Sequence, residues 1–176
     1  MGAALRKLMM LSCGRTELLA HGGGMKGHRE LLSEFERVAS PGSQATEVMQ
    51  HISDRLHGEL LRYNWVGFYL ADPADPNYLL VGPHSGVFSP HERISLGQGL
   101  CGAAASLGKT LAVNDVTKDP RYLMGSDQTK SEILVPMLVR GVLVAEFDIN
   151  SFFIDPWNAE EITVVEQCAN LVKRCM

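Results

Sequence analysis

The chain has 176 residues, of which 45% are hydrophobic and 20% charged, with a formal net charge of −4. That composition belongs to a globular chain able to bury a core, and it excludes disordered and collagen-like classes. The length suits one domain, and the acidic balance argues against an electrostatic nucleic-acid binder. The opening MGAALRKLMMLSCGR carries an apolar run too short for a signal peptide or a membrane span, so no membrane partner is expected. Residues 1–24 read as a weakly ordered leader ending in His21-Gly22-Gly23-Gly24, and residues 25–176 as a single domain. Leu31, Leu32, Phe35 and Val38 then share one face, which predicts an amphipathic helix over 27–39. Ser40-Pro41-Gly42-Ser43 breaks it, and Ser43 is placed to cap a second helix carrying Val48, Ile52, Leu56 and Leu60. Both stripes fit either a core or a helical dimer seam.

The period then changes from helical to alternating. Residues 64–71 and 78–82 are rich in β-branched, aromatic and aliphatic side chains, and the Pro-containing segment 72–77 turns them into a hairpin. A short strand at 93–96 precedes Gly97-Gln98-Gly99-Leu100-Cys101-Gly102-Ala103-Ala104-Ala105, a tight loop entering a small-residue helix. A strand at 110–114 leads into the polar connection 115–129. Strands at 133–139 and 142–149 flank Arg140-Gly141, the strongest hairpin signal in the chain. Asp155 as cap and Pro156 at the first helical position open a terminal helix lined by Ile162, Val165, Ala169 and Val172. Hairpins outnumber crossovers. The expected class is α+β, a central antiparallel sheet with helices packed on it.

Several residues could carry chemistry. The four cysteines at 13, 101, 168 and 175 form no C-x-x-C pair and no Cys/His cluster at zinc spacing, so no structural metal is expected. Sparse thiols suit a reducing cytoplasm, with a redox-active thiol as the alternative. Cys101 stands where a helix begins, a place that lowers a thiol's pKa, though a small buried residue would sit there equally well. Cys168 and Cys175 share a helix face roughly 10 Å apart, too far for a disulfide. Glu146, Asp148 and Asn150 share one strand face. Glu132 joins them only if the Arg140-Gly141 hairpin is bulged; a plain two-residue turn pairs Ile133 with Asp148 and sends Glu132 to the opposite face. Trp65 and Tyr69 share a face and form either an aromatic wall for a ligand or part of the core. His84, Ser89, His91, Ser126 and Asp127 lie in loops and are solvated by default.

Five ordered blocks carry a family resemblance: Tyr63-Asn64-Trp65-Val66-Gly67-Phe68-Tyr69 with Gly82-Pro83; Gly97-Gln98-Gly99-Leu100-Cys101-Gly102; Asn114-Asp115-Val116; Ser131-Glu132-Ile133-Leu134-Val135-Pro136; and Phe147-Asp148-Ile149-Asn150-Ser151. Over roughly residues 30–172 the chain resembles the GAF domains of the free methionine-R-sulfoxide reductases. The resemblance implies a GAF-like sheet with the N- and C-terminal helices together on one face. It also implies a pocket between the sheet and the loops at 84–92 and 117–130, lined by Trp65, Tyr69, Glu132, Glu146, Asp148 and Asn150, and it favours the bulged hairpin. The family reduces free methionine sulfoxide with a cysteine that a second thiol and thioredoxin regenerate. Its catalytic cysteine stands in the loop before the Ser-Glu-Ile block, a position held here by Gly125, and its resolving cysteine falls in a segment, 88–94, that has none. Cys101 alone matches a family cysteine.

Thiol–disulfide chemistry needs an attacking thiolate and a resolving thiol. The sequence therefore points to a non-catalytic GAF module, cytoplasmic and homodimeric, without a cofactor, that binds a small molecule such as methionine or its sulfoxide. An active reductase using Cys101 and a structural dimerisation module are the alternatives.

Overall fold

Apolar residues at helical spacing produce the first two elements of the computed structural model, which describes residues 25–87 and 91–176. The expected leader, Cys13 and Ser89 lie outside the described residues. Helix α1 spans Met25–Val38 and α2 spans Ala45–Glu59. Leu31 and Phe35 of α1, with Val48, Met49, Ile52 and Leu56 of α2, are buried in one core cluster. Both stripes contribute to this chain's own core. Ser43 does not cap α2. Its hydroxyl donates instead to the Val38 carbonyl at 2.7 Å, ending α1, and Gln44 takes the cap position of α2 without a side-chain bond.

Among the described residues, strands β1 (Trp65–Ala71), β2 (Tyr78–Gly86), β3 (Arg93–Ser95), β4 (Leu111–Val113), β5 (Ser131–Val139) and β6 (Val142–Ser151) form one sheet. The order is β3-β2-β1-β6-β5-β4, with every neighbouring pair antiparallel. β2 runs further than expected because Gly86, Ser85 and His84 continue the ladder past a bulge opposite Gly67 and Tyr69. Arg140 and Gly141 turn β5 into β6 at φ of 52° and 82°, the positive values a primed hairpin turn demands.

Helix α3 (Gly99–Leu107) and a single 3₁₀ turn (Val116–Lys118) lie between β3 and β5, and α4 (Ala159–Lys173) closes the chain. Asp155 and Pro156 do not open α4. Asp155 has φ of 60°, and the cap is Asn158, whose side-chain oxygen accepts from the backbone of Glu160 and Glu161 at 2.9 Å. That oxygen satisfies two of the unpaired N–H groups every helix start exposes.

The sheet has two different faces because side chains alternate along a strand. One face presents Val66, Phe68, Ile133, Val135, Phe147 and Ile149 to α1, α2 and α4. Phe68 and Phe147 stack there with centroids 4.3 Å apart. The terminal helices meet where buried His28 of α1 approaches Glu160 and Glu161 at 3.5 and 3.6 Å, and where Tyr63 donates to Glu161 at 2.5 Å. Helix α3 packs on the opposite face through Leu100, Cys101 and Ala104 against Leu134. No helix among the described residues is long and apolar enough to cross a membrane.

Candidate functional site

β1 and β6 lie side by side at the centre of the sheet, and their registers assemble the site. On the face away from the three-helix layer, Trp65 pairs with Asn150, Gly67 with Asp148 and Tyr69 with Glu146. From the other side, Glu132 opposes Asn150, Leu134 opposes Asp148 and Pro136 opposes Glu146. The β5–β6 hairpin is bulged between Met137 and Leu138, so Glu132 does share the face of Asp148. The direct partner of Glu132 is nevertheless Asn150, not Asp148, because the shift runs opposite to the one expected. The plain turn that would send Glu132 to the other face is excluded.

A cavity of about 330 Å³ opens over this face. The sheet supplies Trp65, Tyr69, Glu132, Asp148 and Asn150; the start of α3 supplies Gln98 to Cys101; and the segment Tyr122 to Gly125 covers it. Glu146 is not on the wall. It lies fully buried beside it, and neither of its carboxyl oxygens has a hydrogen-bond partner. Trp65 and Tyr69 resolve both of their alternatives at once: they line the cavity and, with Leu79, form a small core cluster. The Trp65 indole fills the space a side chain on Gly67 would need, since a Cβ there would stand 2.5 Å from its Cη2. His91 is on the wall, whereas His84 lies outside and stacks on the Trp65 indole at 5.7 Å. Ser126 and Asp127 are not part of the lining.

Charge is the main feature of the cavity. Glu132, Glu146 and Asp148 are all buried. Burial pushes Asp148 up to about 7, against the downward pull of hydrogen bonds from Glu132 and Asn150, whose amide donates to Asp148 at 2.9 Å. Burial, and next the charge of Asp148, hold Glu132 and Glu146 well above the ordinary carboxylate range. Cys101, at the start of α3, departs from the expectation for a helix N-terminus. Burial and the neighbouring acids, Glu146 foremost, drive its thiol well above the usual range. Desolvation and like charge outweigh the helix dipole, so the group stays a protonated thiol. Cys168 is pushed up to about 12 by burial in the three-helix core, and Cys101, Cys168 and Cys175 are all free.

The cover falls within the 117–130 loop that the resemblance set over the pocket, but Tyr122, Leu123 and Met124 were not singled out in it. Tyr122-Leu123-Met124 is an apolar triplet inside a polar connection, and that contrast was the available signal; Leu123 and Met124 remain half or more exposed above the cavity. Arg93 was also missed as a lining residue. Its guanidinium is committed to Asp72 at 3.0 Å and lies 3.6 Å over the Tyr78 ring. Gly125, which stands where the resemblance puts a catalytic cysteine, does line the cavity. A Cβ on it would meet only the His91 ring, at 3.8 Å.

The GAF domain family model matches residues 44–176. The chain belongs to the GAF family. It is 31% identical over 133 residues to the free methionine-R-sulfoxide reductase of Saccharomyces cerevisiae, covering 75% of this chain and 72% of that protein. It is equally similar, at 31% over 133 residues, to GAF domain-containing protein A of Dictyostelium discoideum, covering 76% of this chain and 82% of that one. The structure of the free methionine-R-sulfoxide reductase of Neisseria meningitidis in complex with its substrate superposes with a TM-score of 0.78 at 27% identity, covering 84% of this chain and 87% of that one. This GAF domain is thus homologous to the free methionine-R-sulfoxide reductases, in an α+β fold with a six-stranded antiparallel sheet.

Proposed function

We propose that this GAF domain is a non-catalytic receptor for a small molecule that bears a cationic amino group, such as methionine or its sulfoxide. The observation that carries the reading is a cavity with several buried acids and a single thiol on its wall. Glu132 and Asp148, with Glu146 beside them, suit an ammonium group, while Trp65, Tyr69, Leu123 and Met124 suit an apolar tail. Reduction of a sulfoxide would need a thiolate and a second thiol. Cys101 is held as the thiol by burial and by its acidic neighbours, and Gly125 contributes no sulfur. The methionine-R-sulfoxide reductases to which the chain is homologous support the class of ligand.

The test pairs a thioredoxin-coupled assay on free methionine-R-sulfoxide with a thermal-shift measurement. Wild type is expected to show no turnover but to melt at a higher temperature when methionine or its sulfoxide is added. Gly125→Cys has room for its Cβ beside His91 and is expected to retain that shift. Turnover by the wild type would overturn the non-catalytic reading, and the absence of any shift would overturn the receptor.

A further inference from the structure

The inner end of the cavity gathers donors of two kinds. The Cys101 sulfur and one carboxylate oxygen each from Glu132 and Asp148 lie within 4.8 Å of one another, and all three residues are buried. They come from three separate elements, α3, β5 and β6. Glu146, two residues from Asp148 on the same strand face, is an independent fourth group. It is completely buried, neither of its oxygens has a partner at strict hydrogen-bond geometry, it raises the neighbouring Cys101 thiol, and the charge of Asp148 raises it in turn. A carboxyl group in that position, unpaired and out of water, costs several kcal/mol unless something positive or protic meets it. Arg93 on the wall is already paired with Asp72.

An organic ammonium would satisfy the carboxylates but would leave the sulfur without a role. A metal ion would use both. The geometry points to a binding site for a divalent transition-metal ion of borderline softness, of the zinc and cobalt type, held by the Cys101 sulfur, Glu132 and Asp148. Hard cations such as magnesium and calcium prefer all-oxygen shells, whereas a thiolate with two carboxylates suits zinc-like ions. Bonds of about 2.0–2.3 Å draw the three donors inward, and three protein ligands leave a fourth position open toward the cavity for water or a small ligand. Glu146 lies beside the donor set as a charge that complements the ion and orients its ligands. Binding exchanges protons for metal: the Cys101 thiol and any protonated carboxyl release theirs to solvent as the bonds form. The site rests on reading the cavity as a receptor for positive charge, and metal and ammonium compete for the same acids.

Cobalt(II) is the probe, added to the full chain after treatment with a chelator. One equivalent is expected to bind and to produce a near-ultraviolet thiolate-to-cobalt charge-transfer band that zinc then abolishes by displacement. Cys101→Ser is expected to lose the band while Cys175→Ser keeps it, and Asp148→Asn is expected to weaken binding at least tenfold. Melting curves establish that each variant is folded; should Cys101→Ser fail to fold, Cys101→Ala is read in its place, and Glu132→Gln gives a second reading through affinity. A folded wild type with no charge-transfer band, or a band that survives loss of the Cys101 sulfur, overturns the site. Thermal shift with methionine in chelator separates the two readings. A methionine shift without a cobalt band overturns the metal site alone, and a band without a methionine shift sustains it while overturning the amino-group receptor.

Discussion

Asp148 illustrates how a single buried acid links the cavity to the stability of the whole fold. Its ordinary value is 3.8, and burial raises it to about 7. Between those values the folded protein holds a proton that the unfolded chain has released, so stability falls as pH rises through that window. In metal-free buffer the melting temperature is expected to drop between pH 5 and pH 8, by a free energy on the order of 2–4 kcal/mol. Asp148→Asn should make the profile shallower without flattening it, because Glu132 and Glu146 are raised as well; an unchanged slope would remove Asp148 from this role. Gly67 sets a second constraint at this scale, because the Trp65 indole occupies the place of its missing side chain. Gly67→Ala is expected to displace the indole, to cost about 1–3 kcal/mol in a denaturant titration, and to abolish the ligand-induced thermal shift.

The β5–β6 hairpin shows how one element decides which residues can meet. Arg140-Gly141 was legible in the sequence as a two-residue turn, and it forms as read. The bulge opposite Met137 and Leu138 was favoured only by the family resemblance, because its extra residue, Val144, is one more apolar residue in β6 and nothing local marks it. Yet the bulge determines the face of Glu132, since a shift of one residue inverts every side chain in a strand. The turn itself is testable. Gly141 has φ of 82°, a left-handed conformation that costs a residue with a Cβ about 1–2 kcal/mol. Gly141→Ala should cost that much stability in a urea titration, seen as a lower midpoint at unchanged slope, whereas Arg140→Gly should raise the midpoint.

At the scale of the molecule, the receptor face and the three-helix core are the two sides of the same strands. Phe147 stacks on Phe68 in the core, while its neighbours Glu146 and Asp148 point to the cavity side. Phe147→Ala is expected to cost about 3–5 kcal/mol and to lose ligand binding in the same unfolding transition. Calorimetry that resolved a separate transition for the cavity would contradict that unity. The cores were legible because apolar residues repeat at the helical or strand period. The caps were not. Ser43, Asp155 and Asn158 are all competent cap residues in sequence, and the path of the loops chose Asn158 for α4 and gave Ser43 to the end of α1.

The amino-acid sequence by itself determined the α+β class, the helices and strands, the GAF resemblance and the sheet residues that line the cavity, because periodicity and short motifs are local properties of the chain. Tertiary structure alone decided the rest. The charge state of Cys101 depends on burial and on acids from another element, which outweigh the helix start that sequence could see. The cluster of Cys101, Glu132 and Asp148 has no recognisable spacing, because α3, β5 and β6 each contribute one donor and only the sheet register and the seat of α3 bring them together. The acidic balance was visible from the start; the gathering of three buried acids around one cavity follows from the pairing of distant strands.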